Sequence, residues 1–199
     1  IIISGIVLEE TKNLLMNQDV SGDLISYDRI KIKISNDQPK ILIIGSGALG
    51  IFVGLGLAFS GFRKLTFMDP DTVEVTNLNR QVLFYNSIGE SKSNTLSKKL
   101  NMLFGIETNA KVAYFDRNSK FEFYDVVFDC VDNFETRIVL SERCKELKKI
   151  LISGGTSPNA GQVVTYDPKD GGAAPAELLG MYDIVDKRHP ETYQRERAA

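Results

Sequence analysis

Chemistry in this sequence is concentrated in a glycine turn and in a few charged and amide residues spread over the next ninety or so positions. Gly45-Ser46-Gly47-Ala48-Leu49-Gly50 follows directly on the apolar run Ile41–Ile44. A G-x-G-x-x-G turn between a strand and a helix is suited to phosphate. Gly45 permits the tight turn, Gly47 lets phosphate approach the backbone, and Gly50 lets the helix pack on the strand. Free N–H groups at the helix start then face the anion. Asp69 closes the next apolar run, where a carboxylate can accept hydrogen bonds from both ribose hydroxyls. Asp71, in Asp69-Pro70-Asp71, reads as a turn residue. Up to this point a nicotinamide-dependent dehydrogenase fits as well as an ATP enzyme.

The following segment separates the two. Asn77-Leu78-Asn79-Arg80-Gln81 and Gly89-Glu90-Ser91-Lys92 supply more phosphate chemistry than a dinucleotide needs beside its ribose. Arg80 can fork onto phosphate oxygens, and Lys92, in the first turn of a helix, adds a point charge. Asn77 and Gln81 can position ribose or phosphate through neutral hydrogen bonds. Taken singly, Arg80 or Lys92 is more often a solvated surface charge. Further on, Asp132 follows Val127-Phe128-Asp129-Cys130-Val131, at the carboxyl end of a strand, where open α/β sheets bind ligands. Mg²⁺ needs only one or two carboxylates plus phosphate, so Asp132 suits it. Asp132 also suits an N-cap, with Glu135 three residues on. Asp129 and Arg137 fit structural roles equally well.

These residues need an α/β frame to bring them together. Strands are expected at Lys40–Ile44, Lys64–Met68, Thr108–Tyr114, Val126–Cys130, Ile150–Ser153 and Gln162–Tyr166. Helices are expected near Ala48–Ser60, Lys92–Phe104 and Asn133–Leu147. This alternation implies a Rossmann-like, mainly parallel sheet flanked by helices. Ahead of it, Ile1–Met16 reads as an amphipathic helix. Leu24–Tyr27 and Arg29–Ile34 read as short extra strands, and Ser35–Pro39 as a linker. The chain after Asp167 reads as a mobile loop followed by a weak helix. Phe52, Leu55 and Phe59 share a glycine-rich helix and are assigned to the core in preference to an interface.

Composition narrows the function. A net charge of -2 argues against a nucleic-acid surface or an anionic membrane as the main partner. Cys130 and Cys144 make neither a disulfide framework nor a CxxC zinc pair, and they read as buried thiols. His189 is the single histidine, so a Ser–His or Cys–His system has one candidate base. No secretory signal or membrane span is legible, and the cytoplasm is the expected compartment.

The run Asp69-Pro70-Asp71-Thr72-Val73-Glu74-Val75-Thr76-Asn77-Leu78-Asn79-Arg80-Gln81, with Lys92 and Asp132 beyond it, resembles the ThiF/MoeB family. These are adenylating enzymes related to ubiquitin-activating enzymes, and the resemblance runs from about Ile41 to Pro168. It implies that Asp69 binds ribose, that Asn77, Arg80 and Gln81 handle ATP, and that Lys92 contacts its phosphates. It implies that Asp132 is the essential carboxylate associated with Mg²⁺. The implied reaction is adenylation of the C-terminal carboxylate of a ubiquitin-like or sulfur-carrier β-grasp protein, in a homodimer.

Three features depart from the family. Its two zinc-binding CxxC pairs are missing from the sequence, so no zinc is expected. No cysteine follows Asp167 to carry a thioester. Ile2-Ile3-Ser4-Gly5 through Leu15 and the strands up to Ile34 resemble the family's late helix and strand pair, yet they precede the nucleotide-binding half. The organisation expected is one adenylation domain over 1–199. In it, 1–36 matches those late elements by permutation or by joining of fragments, 37–168 is the nucleotide-binding core, and 169–199 is a loop and tail. An arginine supplied across a dimer has no identifiable counterpart here. The alternatives are adenylation of a small molecule or a tRNA base, a non-catalytic partner subunit, and an NAD(P) dehydrogenase.

Overall fold

A computed structural model describes Leu15, residues 37–157 and residues 160–188. The helix expected over Ile1–Met16 (Leu15 apart), the strands expected at Leu24–Tyr27 and Arg29–Ile34, and His189 lie outside the described residues. Elements are numbered among the described residues. The strands are β1 (Ile41–Ile44), β2 (Leu65–Met68), β3 (Asn109–Lys111), β4 (Val126–Asp129), β5 (Ile150–Thr156) and β6 (Gly161–Tyr166). The helices are α1 (Ala48–Phe59), α2 (Lys92–Phe104), α3 (Phe134–Glu146), α4 (Pro175–Leu178) and α5 (Met181–Arg188).

The strands form one sheet in the order β3-β2-β1-β4-β5-β6, parallel except for the β5–β6 pair. β1 is all apolar because both its faces are covered, as expected of a central parallel strand. Alternate β1 residues feed two cores. Ile41 and Ile43 pack with Phe67, Ile51, Leu96 and Leu100 under α1 and α2. Leu42 and Ile44 pack with Val127, Leu140, Cys144 and Leu151 on the α3 side. Each fully buried side chain of this kind contributes roughly 1.5–3 kcal/mol.

The strand order reverses between β1 and β4. Ile44 pairs with Met68 on one side and Asp129 on the other. Gly45, Asp69 and Cys130 therefore leave the sheet side by side at its carboxyl edge, the place where such sheets open a crevice. Local caps fix the helices that follow. Ser91 caps α2 by accepting the Asn94 N–H, and Gly105 ends it in the left-handed region. Asn133 caps α3 by accepting the Thr136 N–H at 2.8 Å.

Several expectations need correction. β3 stops at Lys111 and does not run to Tyr114, because its neighbour β2 ends at the paired Met68. β5 continues through Gly154 and Gly155 to Thr156, because antiparallel β6 gives it partners beyond the end of β4. Phe52 and Phe59 are not core residues: they are 41% and 64% exposed, since the buried stripe of α1 runs through Gly50, Ile51, Gly54 and Ala58. After the loop, residues 174–185 pack as well. Ala176, Met181 and Val185 are buried with Ile138, and the Ala176 N–H donates to Ser141 Oγ on α3 at 3.0 Å.

Candidate active site

A cleft of about 1050 Å³ opens at the carboxyl edge of the sheet. Gly45, Gly47, Asp69, Asn77, Arg80, Gln81, Lys92 and Asp132 all line it, although they come from five separate stretches of chain. Gly50 is the one candidate residue that does not face the space; it lies beneath the turn.

The glycines of the turn do different work. Gly45 has φ +91, and a Cβ there would lie 2.6 Å from the Cys130 carbonyl oxygen. A Cβ on Gly50 would lie 2.0 Å from the Gly45 oxygen. These two let the turn, the helix and β4 close on one another. Gly47 differs, since a Cβ there would meet only Gln81 Nε2, at 3.7 Å. Its missing side chain leaves open space on the cleft side. Gly47 is also the N-cap of α1 and supplies no capping side chain, and no acidic residue occupies the first turn. The first N–H groups of the helix are thus left for an external acceptor.

Asp69 is buried at the floor. Its Oδ2 accepts the Ser46 N–H at 2.6 Å, and its Oδ1 accepts the Asp71 N–H at 2.9 Å. Burial pushes its carboxyl above the ordinary value, against the two N–H bonds and the nearby Lys92 cation. Asp69 thereby fixes the glycine turn while lone pairs remain for hydroxyl donors. Lys92 is also buried, and its Nζ donates to Asp71 Oδ2 at 2.9 Å. Asp71, read as a turn residue from the sequence, is thus the resident counter-ion of the cleft lysine. The D-x-D spacing ahead of a first-turn lysine was the signal available for that role.

Asn77 is buried, and its Oδ1 accepts the Glu74 N–H at 3.0 Å. Arg80 is exposed and leans on Thr76 O at 3.0 Å and Asn79 Oδ1 at 2.9 Å. Gln81 is 4% exposed, and its buried Oε1 has no hydrogen-bond partner among the described residues; Ser46 Oγ in the glycine turn is likewise buried and unpartnered among them. An orphaned polar atom beside open space over Gly47 fits a polar ligand seated against the turn.

Across the cleft, Asp132 is exposed, and Asn133 takes the capping role. No hydrogen bond or ion pair engages the Asp132 carboxylate among the described residues. Beneath it, buried Asp129 pairs with Arg137 at 3.1 Å and accepts from Ser153 Oγ at 2.6 Å. Burial pushes the Asp129 carboxyl up, while Arg137, Ser153 and the Val131 N–H oppose this. Among the described residues no group of three or more His, Cys, Asp or Glu side chains is placed to hold a metal. A lone unbonded carboxylate does fit a Mg²⁺ that arrives with phosphates and keeps most of its waters. The thiols of Cys130 and Cys144 are pushed up to about 12 by burial, so neither is a thiolate at neutral pH. The far end of the cleft is lined by Gly155, Thr156, Gly161 and Gln162 of the β5–β6 hairpin and by Met181. The strand expected at Ile150–Ser153 stops short of that contribution. No helix among the described residues is long and apolar enough to cross a membrane.

The family model of ThiF matches residues 23–197. The chain is 34% identical over 139 residues to a probable molybdopterin-synthase adenylyltransferase of Porphyra purpurea, covering 67% of this chain and 36% of that protein. It is 35% identical over 159 residues to the adenylyltransferase and sulfurtransferase MOCS3 of Anopheles gambiae, covering 77% and 35%. It is 34% identical over 171 residues to the molybdopterin-synthase adenylyltransferase of Haemophilus influenzae, covering 82% and 69%. The chain thus spans little more than a third of the first two relatives and about two thirds of the third.

Proposed function

We propose, from the premise that this chain belongs to the ThiF family, that it uses ATP to adenylate the C-terminal carboxylate of a ubiquitin-like or sulfur-carrier β-grasp protein. The observation that carries this reading is the convergence of Asp69, Asn77, Arg80, Gln81, Lys92 and Asp132 on the one cleft that the glycine turn also lines. Relatives named for adenylylation of a synthase, itself a protein, favour a protein carboxylate over a small molecule or a tRNA base.

An oxygen of the substrate carboxylate attacks the α-phosphorus. The bond from that phosphorus to its bridging oxygen breaks, pyrophosphate leaves with that oxygen, and an acyl-adenylate remains. The protein contributes position and charge, with no covalent step of its own. The N–H groups at the start of α1 face phosphate across Gly47. Asp69 receives ribose hydroxyls on the lone pairs that its backbone bonds leave free. Arg80 forks onto phosphate oxygens, and Lys92 exchanges its Asp71 partner for one. Asn77 and Gln81 orient ribose or phosphate by neutral hydrogen bonds. Mg²⁺, held by Asp132 and phosphate oxygens, would offset negative charge developing on the leaving group. The proposal extends by family resemblance to a homodimer working in the cytoplasm.

Isotope exchange between pyrophosphate and ATP tests this directly, with candidate β-grasp proteins ending in Gly-Gly supplied with and without the final glycine. Exchange that needs the intact tail and is lost in Arg80→Ala and Lys92→Ala is the expected result. Exchange that ignores the tail, or that survives both substitutions, ends the proposal.

A further inference from the structure

Arg137 makes more bonds than charge compensation of Asp129 requires. It sits in the first turns of α3, 8% exposed. Its Nη1 donates to Asp129 Oδ2 at 3.1 Å and to Ser153 Oγ at 3.0 Å. Its Nη2 donates to Gly154 O at 2.6 Å and to Val131 O. Asp129 Oδ1 in turn accepts the Val131 N–H at 3.2 Å. The residue before Asp132 is therefore held at both its N–H and its C=O. The residue after Asp132, Asn133, is held as the cap of α3. Between these two fixed neighbours Asp132 keeps an unbonded carboxylate on the cleft wall. Gly154, the other carbonyl that Arg137 grips, adjoins Gly155 on the hairpin side of the same cleft.

We infer that Arg137 is the positioning residue for Asp132: through the carbonyls of Val131 and Gly154 it fixes where that carboxylate meets the metal-bound phosphates. The inference rests on the reading of Asp132 given under the proposed function. A planar guanidinium can serve four acceptors at once, and a lysine ammonium at the same place cannot. Lysine would still neutralise Asp129, so Arg137→Lys separates position from charge. Ser153→Ala removes one arm of the same network without touching any charge.

The test is calorimetric titration of the full chain with ATP, once with Mg²⁺ and once with EDTA, the ratio of the two affinities being the readout. Asp132→Asn should abolish the gain from Mg²⁺. Arg137→Lys should leave affinity in EDTA within about twofold and cut the gain by about tenfold or more, in the range for lost outer-shell partners of metal ligands. Ser153→Ala should cut it less, and it carries the test if Arg137→Lys does not fold. A purely structural Arg137 would weaken ATP equally in both buffers, and that result overturns the inference. So does a gain that stays at the wild-type value in Arg137→Lys and Ser153→Ala but vanishes in Asp132→Asn. A gain that survives Asp132→Asn removes the reading of Asp132 itself, and the inference with it.

Discussion

On the cleft wall formed by the end of β2 and the segment after it, the polar side chains are largely engaged within the protein. Lys92 is bonded to Asp71, Asp69 to two backbone N–H groups, Asn77 to Glu74, and Arg80 to Thr76 and Asn79. On the opposite wall the bonded charges, Asp129 and Arg137, are buried, and Asp132, whose carboxylate reaches the cleft, has no partner among the described residues. On the proposed function, the first wall would exchange internal partners for phosphate oxygens. The second has only to accept. A ligand site can thus be prepared either by holding its groups on internal stand-ins or by fixing the backbone around a free group.

The contrast breaks first, if it breaks, at Asp132. Asp132→Asn should lower pyrophosphate exchange by about a hundredfold to a thousandfold. Because the side chain is exposed and unbonded, stability should stay within about 0.5 kcal/mol. A thermal melt beside the exchange assay checks both, and a large loss of stability would show that Asp132 is not free. Next in size are the glycines. Gly45→Ala forces a Cβ against the Cys130 carbonyl at positive φ and should cost about 1–3 kcal/mol in denaturant unfolding. Gly47→Ala meets no such obstacle, and its φ of -73 suits alanine. It should change stability by no more than about 1 kcal/mol, in the stabilising direction, while weakening ATP binding.

Smaller effects sharpen the first wall. Asp71→Asn removes a partly exposed pair and should alter stability by less than about 1 kcal/mol in urea titration. Last comes a pH dependence. Burial raises the Asp69 carboxyl above its ordinary value of 3.8. In the interval between that value and the raised one, the folded chain holds the proton more tightly than the unfolded chain. Stability from this group is complete below the interval and lost as pH rises through it. Asp69→Asn should flatten that part of the stability curve, and an unchanged slope would show that Asp69 does not set it.

The site was more legible in the sequence than the surroundings that hold it. Gly45, Asp69 and Lys92 could be read because each stands at a strand end or helix start, and local periodicity marks such ends. The Asp71–Lys92 bond joins residues 71 and 92 across a loop, and no periodicity reports that. Asn133 in place of Asp132 as the α3 cap depends on one residue's register, the least certain feature of any boundary. The extension of β5 through Gly154 and Gly155 was hidden because glycine reads as a break. Here a Cβ on Gly154 would lie 2.8 Å from Leu49 Cδ2, so the residue is required by close packing inside a strand. The buried face of 174–185 was masked by a Pro/Gly/Ala-rich approach whose partners lie on α3.

The lack of room beneath Gly45 and Gly50 also bears on timing. A turn wedged between the Cys130 carbonyl and its own helix has little freedom to depart from this shape. On the proposed function, encounter of ATP with that turn would be governed by diffusion and orientation, without a preceding rearrangement of the turn. A slow phase in rapid-mixing experiments would belong to the exchange of Lys92 and Arg80 from their internal partners, on the wall where bonds must be broken before new ones form.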